Sequence, residues 1–279
     1  MLSTNQTKRN SKVVPEMGIV KRDPYLAPYE SAIKGRHDHA LWKLNQLTQG
    51  GKFSLSEFAN GYQYYGLHHE SDGWIFREWA PNATDIYLVG DFNNWQETIA
   101  YKCKRDVDTG DWELKLPEDA IQHGQFYKMH VYWNGGKGER IPAWAQRVVQ
   151  DPQTGIFSAQ VWSPNAPYVW KINSFNPQTS PLLIYECHIG MGQDAEKVGT
   201  YNEFREKVLP RIVKDGYNAI QIMAIQEHPY YGSFGYHVSS FFAPSSRFGT
   251  PEELKALVDD AHEAGIAVIM DIVHSHAVK

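Results

Sequence analysis

The sequence predicts an α+β multidomain chain: an N-terminal helix, a β-sandwich, then about the first three strands of an incomplete (β/α)8 barrel. Three successive hydrophobic patterns predict it. Apolar residues recur at helical spacing from Ile33 to Leu47, alternate in short runs from about Phe53 to Trp162, and gather into near-continuous apolar strands after Pro181. Domains are expected at 1–52, 53–165 and 166–279, in keeping with a length of 279 residues and the usual ~100–200 residues per domain.

The polar, basic stretch up to residue 22 is expected to be a frayed terminus. Asp23 to Pro28 is turn-rich, and Pro28 suits a helix start. Ile33, His37, Ala40, Leu41, Leu44 and Leu47 then mark one amphipathic helix, stopped by Gly50-Gly51 and expected to pack on something larger. In the middle section, Trp74–Trp79, Ile86–Gly90, Trp112–Leu116 and Phe126–Tyr132 read as strands. Turns at Ala80–Ala83 and Asp108-Thr109-Gly110 separate them, with no helix between, as in a sandwich.

Beyond Pro181, Leu182–His188, Asn218–Ala224 and Ile266–Val273 read as strands. The last is expected to be a parallel strand buried on both faces. A helical stretch around Phe204, Val208 and Ile212 contains Pro210, which predicts a kink or break there. The next helix carries Thr250 as N-cap, Pro251 at its first position, Glu253 closing a capping box, and Gly265 as its stop. Leu254, Leu257, Val258 and Ala261 are its expected buried face. A barrel of this kind needs ~250 residues, so the 99 residues from Pro181 to Lys279 hold about three of eight strands.

A formal charge of −5 argues against nucleic acid as a partner. No apolar run reaches the ~18 residues of a membrane span, and residues 1–14 lack the apolar core of a secretory signal. Cys103 and Cys187 stand alone, which fits a reducing compartment, and the expected location is the cytoplasm. Nine Trp, sixteen Tyr and twelve Phe are the unusual feature; such rings suit sugar faces as well as cores.

Gly90-Asp91-Phe92-Asn93-Asn94-Trp95, with Glu78-Trp79-Ala80-Pro81 upstream, resembles the N-terminal carbohydrate-binding module of glycogen branching and debranching enzymes. Ile184 to Met191, Met223 to His228 with Phe234-Gly235-Tyr236, and Asp271 to His276 resemble successive strand ends of the α-amylase superfamily. Ser239 to Gly249 and Val273-His274-Ser275-His276 resemble the 1,4-α-glucan (glycogen) branching enzymes of eukaryotic type. That likeness implies retaining transfer of an α-1,4-glucan segment to a 6-hydroxyl, with glycogen and amylose-like chains as partners, no cofactor and no metal. It also implies that the catalytic Asp and Glu lie on later strands, so that none is expected here. A debranching or trehalose-releasing hydrolase and a non-catalytic glucan-binding protein remain alternatives.

By the same resemblance, His276 hydrogen-bonds the sugar at the cleavage site, Tyr236 stacks beneath it, and Asp271 orients its neighbours. Glu186 and Glu227 are expected to be structural. His274 and His276 share a face but lack a third residue of metal-ligand spacing. In the module, Trp95 and Asn93 are candidate glucan contacts. Trp79 and Trp112 are further candidates, although strand tryptophans are more often core.

Overall fold

The computed structural model describes residues 17–177 and 181–278, in two compact units that divide between Gly61 and Tyr62. In the first unit, Gly18–Arg22 is a short helix that buries Val20, where a frayed terminus is expected. The rest of that expectation, residues 1–16, lies outside the described residues. Asp23 accepts a hydrogen bond from Tyr25 N–H at 3.1 Å, capping the turn that leads into the Glu30–Leu47 helix. The first unit by itself does not supply the expected packed face of this helix: none of its residues is buried, and Leu41 is 51% exposed. Ile33, Ala40, Leu41, Leu44 and Leu47 do share one face, with His37 among them, while Trp42 falls on the opposite side.

The second unit begins with the sandwich. Strands β1 (Gly66–Glu70), β2 (Gly73–Trp79), β4 (Lys104–Arg105) and β5 (Asp111–Leu116) form one antiparallel sheet in the order β1-β2-β5-β4. The facing sheet runs β3 (Ala83–Gly90), β6 (Phe126–Trp133), β9 (Phe157–Gln160) and β8 (Val148–Gln150), with β7 (Gly136–Arg140) paired to β6. Alternation along each strand sends Trp74, Phe76, Trp112, Leu114 and Leu116 from the first sheet and Ile86, Leu88, Tyr127 and Met129 from the second into one core.

The chain then changes to parallel pairing. Strands β10 (Ile184–Cys187), β11 (Ala219–Ile222) and β14 (Ala267–Met270) form a sheet in the order β10-β11-β14, joined by helical crossovers. The first crossover starts on a Thr200–Glu203 capping box, widens into a π turn over Phe204–Val208, and continues as the Leu209–Lys214 helix. Pro210 sits at the start of that last segment, so its missing N–H falls where the expected break occurs. The second crossover, Pro251–Glu263, carries the Thr250 and Glu253 capping box. The expectation that the third strand is buried on both faces does not hold. Residues Ala267–Ile269 are half-buried and Met270 is 40% exposed. In the described sheet β14 has a neighbour on one side only, and the best-covered strand is the central β11, with Ala219, Ile220 and Ile222 at 0% and Gln221 half-buried.

A linking segment ties the sandwich to the Pro251–Glu263 helix. Asp259, 0% exposed, accepts from Tyr168 O–H at 2.7 Å, Lys171 N–H at 2.8 Å and Ile172 N–H at 3.0 Å. Burial alone raises the Asp259 carboxyl, but these bonds outweigh it and hold the group below its usual range. Trp162 donates to Glu252 at 2.8 Å, and Arg147 donates to the Gly249 carbonyl at 3.1 Å.

Candidate functional site

The C-terminal ends of the parallel strands converge on one edge, where sites of (β/α) folds are built. Between β11 and the second crossover helix lies an antiparallel pair, β12 (Gln226–Glu227) and β13 (Ser240–Pro244), whose connection carries Tyr236. Asp271, just past β14, is positioned by its N–H donating to the Ile222 carbonyl at 3.0 Å. Tyr236 O–H donates to Asp271 Oδ2 at 2.6 Å. That bond to a carboxylate, with desolvation and charge repulsion behind it, pushes the phenol up to about 12. Tyr236 is therefore a neutral donor committed to Asp271, and its ring is half-buried against Ala224, Val238 and Val273. The structure thus brings together two of the three residues singled out at this edge. His276 is exposed, with a left-handed backbone of φ 60°, and no hydrogen bond among the described residues joins it to either of them.

Beneath this edge lie two buried histidines. His228, 0% exposed, has Nδ1 2.9 Å from the Gln226 carbonyl, so Nδ1 carries the proton and Nε2 is a bare acceptor without a partner among the described residues. His188 is 8% exposed, packed edge-on against Tyr231, Phe234 and Phe248, and its Nδ1 is likewise unpartnered. Desolvation lowers both, and for His188 repulsion from His228 adds to it. A folded-state value below the unfolded ~6.5 means the unfolded chain binds more protons as pH falls. Stability is therefore present above about 6.5 and lost below it. Urea midpoints are expected to fall between pH 7.5 and 5.5, and to fall less steeply in His228→Gln; equal slopes would refute the assignment.

On the sandwich, the Asp91–Trp95 loop is built from its own side chains. Asn93 Oδ1 accepts from Gly90 N–H at 2.9 Å and its Nδ2 donates to the Leu88 carbonyl at 3.0 Å. Both ends of the Asn93 amide are thus taken by backbone, whereas its neighbour Asn94 is exposed. Gly90 is required because a Cβ there would lie 2.8 Å from Phe92 and 2.9 Å from Tyr127. Trp95 Nε1 donates to Asp91 Oδ1 at 3.0 Å, and Asp91 Oδ2 accepts from Phe126 N–H at 2.7 Å, so the half-buried ring is held rigidly. Glu97, two residues on, is bonded by His130 at 2.7 Å and Tyr132 O–H at 2.8 Å.

The other two tryptophans part company. Trp112 is 2% exposed, with Nε1 donating to the Ala80 carbonyl at 3.0 Å, and it cannot meet a ligand. Trp79, expected in the core, is 57% exposed. Along β2 the inward series is Trp74, Phe76 and Glu78, and Trp79 follows Arg77 to the outside. Glu78 takes the inward position at 3% exposure, accepting from Trp79 N–H at 3.0 Å and Ala143 N–H at 2.8 Å; burial nevertheless raises its carboxyl. Trp79 Nε1 donates to the Thr109 carbonyl at 3.2 Å, leaving its ring as an exposed platform.

Glu227 is the polar hub that joins these elements. It is 1% exposed and accepts from Ser246 N–H at 2.7 Å, Ser246 O–H at 2.8 Å, and both Ser245 O–H and His228 N–H at 3.1 Å. Asp259 is a residue that sequence reasoning missed, because its partners lie 87 to 91 positions away. Nothing local in the helix pattern signals it.

The family model for Carbohydrate-binding module 48 (Isoamylase N-terminal domain) matches residues 64–153, and the model for the α-amylase catalytic domain matches residues 192–279. A 1,4-alpha-glucan-branching enzyme of Dictyostelium discoideum is 43% identical over 96% of this chain, which spans 40% of that protein. One of Aspergillus oryzae is 45% identical over 94% of this chain, which spans 39% of it. Among solved structures, a pullulanase from Bacillus acidopullulyticus superposes with a TM-score of 0.64 at 20% identity, covering 77% of this chain and 30% of its own. At that identity the likeness speaks for the fold alone.

Proposed function

We propose, for a chain that belongs to the 1,4-α-glucan-branching-enzyme family of the α-amylase superfamily, that it holds α-1,4-glucan for the transfer of a segment onto a 6-hydroxyl. The observation that carries this reading is similarity to branching enzymes along nearly the whole chain, through both the module and the barrel strands. In it, Tyr236 offers its ring to one glucose unit, Asp271 fixes that ring through its hydroxyl, and His276 supplies a hydrogen bond to the same sugar. Trp95 and Trp79, a half-buried and an exposed ring of the sandwich, hold more distant units of the chain. The nucleophilic Asp and the acid/base Glu of the retaining reaction belong to later barrel strands. Glycogen and amylose-like chains are the proposed substrates. A cytoplasmic setting accords with two buried free thiols, Cys103 and Cys187; among the described residues no helix is long and apolar enough to cross a membrane.

Incubated with amylose, the chain is expected to leave the iodine absorbance unchanged. In a native gel containing glycogen it is expected to be retarded. Replacing Trp95 or Trp79 with alanine should weaken that retardation roughly fivefold, the effect of about 1 kcal/mol of lost ring contact. Migration unaffected by glycogen would overturn the reading.

A further inference from the structure

We propose that Gln226 is a positioning residue for the barrel-edge site, its buried amide fixing the backbone that leads from Asp271 to His276. This rests on the glucan reading of that edge. The pairing of β12 with β13 shifts register between Gln226 and Glu227. Such a bulge re-aims side chains, and here two consecutive residues both turn inward, Gln226 at 4% exposure and Glu227 at 1%. Glu227 serves the loop behind it, whereas Gln226 reaches forward. Its Oε1 accepts from Val273 N–H at 2.9 Å, and its Nε2 donates to the Phe241 carbonyl at 3.0 Å. One partner is a donor and the other an acceptor, so only one orientation of the amide satisfies both.

Val273 lies midway between Asp271 and His276. It is itself buried, packed with Ala224 and Val238 in a small cluster against which Tyr236 rests. The Gln226 amide therefore sets, from β12, the path of the segment after β14, and ties it to the β13 backbone that closes the Tyr236 connection. It meets no sugar. It fixes the backbone that follows Asp271 and, through the β13 backbone, the connection from which Tyr236 reaches Asp271.

The test uses the 279-residue chain, with amide exchange at Val273 and the His276 ring resonance followed during a maltopentaose titration. Gln226→Met keeps the length and loses both bonds. Val273 protection is expected to drop at least tenfold and maltopentaose affinity at least fivefold, with protection of Ala219 in β11 unchanged. Gln226→Glu gives a readout that simple packing would not. As a neutral acid it accepts from Val273 and donates to Phe241, as glutamine does; ionised, it faces the Phe241 carbonyl with a second acceptor. Protection and affinity should approach wild type in acid and fall as pH rises. This arm decides the matter even if Gln226→Met fails to fold. Wild-type exchange at Val273 in Gln226→Met, or lost protection with unchanged affinity, would overturn the proposal. A wild-type chain whose His276 resonance ignores maltopentaose would overturn the glucan reading of this edge, while Val273 exchange still decides whether the amide is a clamp.

Discussion

Gly235→Ala is expected to destabilise the second unit by about 3 kcal/mol and to release Tyr236 from Asp271. Two separate effects add. Gly235 has φ +89°, and an L-residue in the left-handed region costs roughly 1–2 kcal/mol. A Cβ there would also fall onto the Ala224 carbonyl oxygen and lie 2.7 Å from Ala224 Cβ. Ala224 is 1% exposed, just past the central strand, and its own φ is 23°, so it has little freedom to withdraw. Overpacking of this kind adds about 1–3 kcal/mol. Gly124 supplies the control: its φ is +88°, yet nothing lies within 4 Å of its Cβ position, so Gly124→Ala should show the backbone penalty alone. The measurements are urea midpoints for both variants and the titration of Tyr236 followed with carbon-13-labelled tyrosine. In Gly235→Ala the phenol is expected to return from about 12 toward its ordinary value of 10, because the Asp271 bond that raises it is lost. Equal destabilisation by the two variants would show that the contact with Ala224 has no weight.

What sequence alone reveals here follows the range of the forces involved. The Pro251–Glu263 helix is legible because its signals are local: Thr250 accepts from Glu253 N–H and Glu253 accepts from Thr250 N–H, three residues apart. The strands of the sandwich are legible because alternation is local too, and Trp112, Leu114 and Leu116 point inward together. Trp79 departs from expectation because residue type suggests the core while its register places it outside with Arg77. Asn93 shows a different limit. Its place in a turn motif is visible, but whether its amide serves backbone or ligand depends on geometry that Gly90 and Leu88 set. The helix Glu30–Leu47 and strand β14 show a third. Apolar spacing says which residues seek burial, not whether a neighbour covers them, and within their own units Leu41 stays 51% and Met270 40% exposed. The strand-end residues Tyr236 and Asp271 stand 35 positions apart, and only their family motifs, not their chemistry, mark them as a pair.

Glu227→Ala should be the most damaging single replacement on this edge, at about 3–5 kcal/mol. The carboxylate is enclosed and accepts four hydrogen bonds, two of them from the backbone N–H groups of His228 and Ser246. The Ser245 and Ser246 hydroxyls can rotate to new acceptors when it is removed, but the two backbone donors cannot, and each buried donor left unpaired costs about 1–3 kcal/mol. A cavity where the side chain stood adds to that. Glu227→Gln separates charge from shape: one amide oxygen still accepts, while the amide N–H2 opposes donors, so a loss of about 2 kcal/mol is expected, between wild type and alanine. Were burial of the charge itself the dominant cost, Glu227→Gln would instead raise stability, and that result would reverse the assignment. The damage should also reach the site. Glu227 opens the stretch that carries Tyr236, and Ser245 and Ser246, which it holds, close it, with the Ser245 carbonyl accepting from Tyr201 O–H at 2.9 Å. Released at both ends, that stretch no longer delivers Tyr236 to Asp271, so the Tyr236 resonance should shift in Glu227→Ala even under conditions where the variant stays folded. A Tyr236 signal identical to wild type would mean that the loop keeps its shape without the carboxylate, and that the role of Glu227 ends at stability.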